Sequence, residues 1–336
     1  MDRVLVTGIS GFLGGHIALQ LLNAGYIVRG SVRNLLKADK VRDTLAKAGS
    51  HVSHLEFTVL DLLDDAGWDM AMKDVRYVLH TASPFVLKAP KDPQELIRPA
   101  VGGTERALRS ALAADVDRVV LTSSTAAITY GHPRSYRRFS AADWTEIESG
   151  SVPPYQQSKT LAERRAWTMM DAAGRHDDLA VINPSGIFGP LLDEDPGTSA
   201  QLVSMLLSGR MPALPRLGIN PIDVRDVAEA HVRAMTAAEA GGRRHPMAVS
   251  GYTLADAARV LQQHYPDRHI RTVRLPNWFV RLAAIAVPMM RPIVNELGEA
   301  KTIDSSEALS LLGRSFIAAD DAILATAESL IAHGIA

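Results

Sequence analysis

Three glycines spaced three residues apart, in Thr7-Gly8-Ile9-Ser10-Gly11-Phe12-Leu13-Gly14, constrain this chain more than any other feature. They follow the apolar run over 3–7, which reads as a strand. They open an amphipathic stretch over 12–24 with Leu13, Ile17 and Leu21 on one face, which reads as a helix. A strand-to-helix turn of this kind needs glycine where φ is positive, where backbone approaches a diphosphate, and where the helix presses on the strand. Gly8, Gly11 and Gly14 are placed for those three tasks, with Ser10, Phe12 and Leu13 completing the cradle. The helix start adds free N–H groups and partial positive charge. A purely structural turn would not need three glycines at this period.

The rest of the pattern agrees with that start. Gly25 stands where a helix C-terminus takes a left-handed residue. Runs over 27–32, 55–60, 77–80, 118–122 and 179–182 read as further buried strands, and 35–48, 95–114 and 158–173 as helices. Short apolar strands alternating with helices predict an α/β fold, a Rossmann-type doubly wound parallel sheet. Beyond Pro184, Pro and Gly become frequent and strand signals sparse. Residues 1–184 are therefore read as a dinucleotide-binding domain carrying the catalytic groups, and 185–336 as mainly a smaller substrate-binding region. The chain is expected to return to the sheet near 222–250, at 222–227 and 246–250.

At the end of the second strand an acidic side chain would bind the ribose 2′-hydroxyl of NAD. Arg33 stands there instead, and a guanidinium clamps a 2′-phosphate through charge-assisted bonds. Lys40 is read as a second cation. NADP(H) is therefore preferred, with NAD(H) possible, although an exposed arginine is more often simply solvated.

Tyr155-Gln156-Gln157-Ser158-Lys159 is the second motif. Tyr and Lys four apart on a helix share a face. Hydride delivery to a carbonyl carbon leaves its oxygen needing a proton, which a phenol can supply. A nearby ammonium lowers the phenol's pKa toward the operating pH. Thr122-Ser123-Ser124 ends a strand, where residues face the ligand crevice, and a hydroxyl there can donate to the substrate oxygen. Ser124 takes that role here, with Ser123 the runner-up. Tyr-x-x-x-Lys alone occurs by chance on many helices and gains weight only from these surroundings.

Together Gly8, Gly11, Gly14, Ser124, Tyr155 and Lys159 resemble the extended short-chain dehydrogenases/reductases. The likeness narrows to their dihydroflavonol reductase-like and cinnamoyl-CoA reductase-like branch of aldehyde/ketone reductases. It covers nearly the whole chain. Carrying pieces include Ser31-Val32-Arg33-Asn34, His80-Thr81-Ala82-Ser83-Pro84, Arg118 to Ser124, Asp143-Trp144, Ser158 to Glu163 and Asp226 to His231. The resemblance implies that Asp61 and Leu62 lie at the adenine end, that Thr81, Ala82 and Ser83 line the cofactor, and that the stretch from Pro184 to Ile187 passes the nicotinamide. Plain alternatives stay open: Asp61 as the cap of the next helix, with Asp64 three residues on, and packing for the apolar positions.

The plant flavonoid reductases carry Asn five residues after the serine, where this chain has Thr129, so a polyphenol would be read poorly. An apolar pocket walled by Phe85, Thr125, Thr129, part of 190–207 and Trp278–Phe279 is expected instead, suited to aldehydes, ketones and keto esters. Each wall position is as readily a core residue.

Composition removes several alternatives. Lys+Arg of 36 against Asp+Glu of 37 gives a net charge of −1, which does not favour nucleic acid as a partner. There is no cysteine, hence no disulfide, thiolate metal site or thiol nucleophile, and the 11 histidines show no paired metal spacing. No metal is expected. Neither a signal peptide nor a membrane span is read from the chain; the apolar stretch over 278–294 is interrupted by Arg281, Pro288 and Arg291. A cytoplasmic monomer or homodimer acting on a small carbonyl or alcohol is expected. The rivals are a sugar-nucleotide epimerase or dehydratase, a hydroxysteroid dehydrogenase, and a non-catalytic NADP-binding sensor. Epimerases usually carry an acid where Arg33 stands, and sensors typically lose the Tyr or Lys.

Overall fold

The computed structural model describes residues 1–84, 92–133, 138–150, 152–286, 294, 296–298 and 300–336. Seven parallel strands form the central sheet: β1 (Arg3–Thr7), β2 (Ile27–Val32), β3 (Leu55–Val59), β4 (Tyr77–His80), β5 (Arg118–Thr122), β7 (Leu179–Pro184) and β10 (Arg243–Met247). Two short pairs stand apart from it: β6 (Arg138–Phe139) with β11 (Thr302–Ile303), and β8 (Gly186–Phe188) with β9 (Pro221–Asp223). The helices are α1 (Phe12–Asn23), α2 (Ala38–Lys47), α3 (Trp68–Ala71), α4 (Gln94–Ala113), α5 (Pro154–Ala172) and α6 (Gly197–Leu207). They continue as α7 (Val224–Thr236), α8 (Leu254–His264), α9 (Asn277–Ala286), α10 (Ser306–Leu312) and α11 (Ala319–Ala332).

The sheet order is β10-β7-β5-β4-β1-β2-β3, so the direction of winding reverses between β1 and β4. Ligands bind outside the carboxyl ends of strands at such a switch point. Both faces are buried, and the strands alternate accordingly. Val4, Val6, Val120, Ala180 and Ile182 pack with α1, α2 and α7, whereas Leu5, Val119, Leu121, Leu179 and Val181 pack with α3, α4 and α5. Burying one such Val or Leu stabilises the fold by roughly 1.5–3 kcal/mol. A third cluster joins Phe188, Leu191, α6, α8 and α11 beyond the strand ends.

Three expectations needed correcting here. Residues 222–227 do not rejoin the central sheet. Pro221–Asp223 pairs with β8, and Asp223 then starts α7 by accepting the Arg225 N–H at 2.8 Å. The returning strand is β10, earlier than expected, paired with β7 from Arg243 to Met247. Helix α5 also begins before Ser158, at Pro154, because proline is well suited to the first helical turn.

Candidate active site

Gly8 opens the turn after β1 at φ +70, and Gly11 N–H returns to its carbonyl at 2.9 Å. A Cβ on Gly14 would lie 2.3 Å from the Gly8 carbonyl oxygen, so only glycine lets α1 sit this close under the turn. Across the switch point the Thr7 hydroxyl oxygen accepts the N–H groups of Thr81 and Ala82, each at 3.1 Å, and the Thr81 hydroxyl donates to the Thr7 carbonyl at 2.6 Å. The glycine turn and the end of β4 are thus fixed against each other. Between them runs a groove of about 860 Å³, roomy enough for a dinucleotide, lined by Ser10 through Gly14, Thr81 through Ser83, Asp61, Leu62 and Arg33. A cradle that a single methyl would fill, ending beside an exposed guanidinium, fits a phosphorylated dinucleotide.

The far end of the groove departs from expectation in two ways. Lys40 does not line it but makes an ion pair with Asp193 at 2.9 Å, joining α2 to the loop after β8. Lys37 lines the groove instead, together with Arg33. Reading the spacing Arg33-x-x-x-Lys37 across the short helical turn over 35–37 would have found it. Asp61 does not cap a helix. Its carboxylate accepts the Leu63 N–H at 2.8 Å to close a turn, and α3 starts only at Trp68.

At the other end, Ser124, Tyr155 and Lys159 line one cavity of about 490 Å³, which also takes in Pro184 and Ile187. Ser124 follows β5; its hydroxyl oxygen accepts the Ala126 N–H at 3.1 Å and the side chain reaches the Tyr155 phenol. The Pro184 carbonyl lies 3.2 Å from the same hydroxyl. Ser123 also lines the cavity, but it is buried and its hydroxyl is committed to the Glu163 carboxylate. That divides the two serines. Tyr155 sits in the first turn of α5. Lys159 is one turn later, 7% exposed, and donates to the Thr122 carbonyl at 3.3 Å.

The electrostatics correct the reading of this pair. Burial pushes the Tyr155 phenol up to about 12, and what offsets it is the Ser124 hydrogen bond rather than Lys159. Burial lowers Lys159 to about 8, partly opposed by the Glu163 carboxylate. For both groups desolvation is the largest influence.

Thr125 and Thr129 line the cavity, and so do residues 196–200 within the expected stretch; Phe85 lies outside the described residues. Trp278 and Phe279 do not reach it: Val280 and Ala284 of α9 face inward, leaving those rings 65% and 44% exposed. The far wall carries the polar side chains of Tyr130, Gln156, Glu296 and Lys301 beside the apolar Ile219, Ala300 and Ile303. Lys301 donates to the Thr129 carbonyl at 3.0 Å, stands 3.9 Å over the Tyr130 ring, and lies 3.9 Å from Glu296. Burial, reinforced by Glu296, raises the Tyr130 phenol. Glu296 and Lys301 arrive from the end of the chain, and no local pattern marks them. Among the described residues no group of acidic or histidine side chains is arranged to hold a metal ion, and no helix is long and apolar enough to cross a membrane.

The sequence profile described as the NAD dependent epimerase/dehydratase family matches residues 4–250. The cinnamoyl-CoA reductase CAD2 of Medicago truncatula is 36% identical over 270 residues, covering 79% of this chain and 81% of the relative. The NADPH-dependent methylglyoxal reductase GRE2 of Saccharomyces cerevisiae is 31% identical over 349 residues, covering 98% of both chains. The crystal structure of the yeast methylglyoxal/isovaleraldehyde reductase Gre2 complexed with NADPH superposes with a TM-score of 0.82 at 29% identity, over 99% of this chain and 100% of that one.

Proposed function

The chain belongs to the NAD dependent epimerase/dehydratase family, the extended short-chain dehydrogenases/reductases, and from that premise we propose that it reduces an aldehyde, ketone or keto ester to the alcohol with NADPH. The observation that carries this reading is the meeting of Ser124, Tyr155 and Lys159 in one cavity that opens from the glycine-lined groove. Relatives named as reductases of cinnamoyl-CoA and of methylglyoxal support it.

A nicotinamide held in the glycine-lined groove would supply hydride to the carbonyl carbon. Tyr155 gives its phenolic proton to the carbonyl oxygen, and with burial holding the phenol up to about 12 it keeps that proton throughout the neutral range. Ser124, bonded to that phenol, donates to the same oxygen as negative charge develops there; a preorganised donor of this kind contributes about 10²–10³ in rate. Lys159 brings a buried ammonium to the site one helical turn beyond the phenol, anchored on the Thr122 carbonyl. Arg33 and Lys37 hold the 2′-phosphate, while Gly8, Gly11 and Gly14 admit the diphosphate. The polar side chains of the far wall suit a substrate carrying a second oxygen near its carbonyl, so keto aldehydes and keto esters rank above plain alkyl ketones.

Residues 1–184 with β10 hold the cofactor in this proposal, and 185–336 otherwise shape the substrate side. A cytoplasmic monomer or homodimer belongs to the same proposal. The deciding experiment is consumption of NADPH and NADH against a panel of aldehydes, ketones and keto esters. Turnover with NADPH is expected. Purified protein that retains a tightly bound nicotinamide and consumes none of the added cofactor with any carbonyl would instead match an epimerase or dehydratase.

A further inference from the structure

We infer that Glu163 and Arg244, neither of which reaches the cavity, are positioning residues that hold Ser124, Tyr155 and Lys159 in reacting geometry. The inference rests on the reductase reading above. Glu163 lies on α5 one turn beyond Lys159 and two beyond Tyr155, on the same face of the helix, and is 0% exposed. Its carboxylate accepts from the Ser123 hydroxyl, from the Asn183 amide at 2.8 Å and from the Arg244 guanidinium through Nε at 2.5 Å and Nη2 at 3.4 Å. Arg244, on β10, is 7% exposed and donates onward to the carbonyls of Ala141 at 2.8 Å, Asp143 at 2.6 Å and Ala127 at 3.5 Å. Its guanidinium lies 3.8 Å over the Trp144 ring.

These contacts surround Ser124 in the chain. Ser123 precedes it, Ala127 closes the turn that follows it, and the Asn183 amide lies 3.4 Å from its own carbonyl. One buried carboxylate therefore ties the serine's backbone to the helix that carries the phenol and the ammonium. Apolar replacements of a buried ion pair are often neutral for stability, so cohesion alone does not call for charge at this place. The charge also has a target: Glu163 sustains Lys159 as an ammonium against burial. The remaining titratable groups near Lys159 are Tyr155 on its own helix and His80 on β4, which burial lowers to about 3 and which stays neutral at working pH. Arg244 faces Glu163 from β10.

The test measures kcat, the KM for NADPH and the pH profile of kcat for the wild-type enzyme, E163Q and the double variant E163Q/R244Q, with thermal melts to establish folding. A displacement of about 1 Å in a reacting group costs about 10²-fold in rate. E163Q is expected to lose about that much in kcat with the KM for NADPH nearly unchanged. Its alkaline limb should move down by about one pH unit, because Lys159 loses a carboxylate and keeps the Arg244 cation nearby. In the double variant the cation is also gone, and the limb should return part of the way. A purely structural role would lower the melting temperature and leave the limb in place, and folded E163Q with wild-type kcat and profile would overturn the inference. Should E163Q not fold, the double variant, neutral at the buried site, carries the kcat readout: a loss of about 10²-fold supports the inference and a wild-type value overturns it. Absence of turnover by the wild-type enzyme would strike the reductase reading instead.

Discussion

The two halves of the crevice recognise by opposite means. The dinucleotide groove is built from backbone: a turn that tolerates no Cβ at Gly14, strand ends locked through Thr7, and cations placed at its open end. The substrate cavity is built from buried side chains whose acidities are set by desolvation, Tyr155 upward and Lys159 downward. The first half is spoiled by adding atoms, the second by removing them. Backbone dipoles do not titrate, so the groove should bind across a wide pH range while the cavity works only where its groups hold their protons.

Four measurements sharpen or break that contrast. Tyr155→Phe removes the proton donor and should lower kcat by about 10³-fold, with NADPH affinity by fluorescence titration unchanged; a loss of binding instead would merge the two halves. Arg33→Asp should swing the NADPH-to-NADH ratio of kcat/KM by about 10²-fold, the scale of a lost charge-assisted contact plus a new repulsion, and an unchanged ratio would remove Arg33 from the phosphate site. Gly14→Ala places a methyl against the Gly8 carbonyl and should weaken NADPH about 10-fold, with a cost of about 1–3 kcal/mol in a denaturant melt. The smallest effect is on pH. Lys159 is an ammonium below about 8 and is lost as pH rises through that value, so kcat for reduction should fall about fourfold between pH 7 and 8.5. NADPH affinity should stay flat over the same range, and a parallel decline in both would erase the distinction.

The two halves also differ in how far residue order alone reveals them. Strands β1, β4 and β5 can be placed from sequence because each is a short, largely apolar run buried on both faces and bounded by turn residues. The groove's lining is legible for the same reason: it sits at strand ends, at fixed distances from those runs. Lys37 rather than Lys40 joins Arg33 because the short helical turn over 35–37 brings it round to the groove, a turn that the Arg33-x-x-x-Lys37 spacing does mark. The run over 222–227 sets Ile222, Val224 and Val227 among charged residues, a short pattern that serves a strand or a helix equally; the Asp223 cap decides it. Most of the cavity's far wall was illegible. Tyr130 and Gln156 meet Glu296 and Lys301 only after the chain has crossed the sheet and come back, and tertiary convergence of that kind leaves no periodic trace.

The ion pair between Lys40 and Asp193 has a kinetic meaning. It ties α2 to the opposite bank of the groove by a single bond between side chains 62% and 29% exposed. Such exposed pairs are worth at most about 1 kcal/mol and weaken with salt. The link between α2 and the loop after β8 therefore opens often, and more so as ionic strength rises.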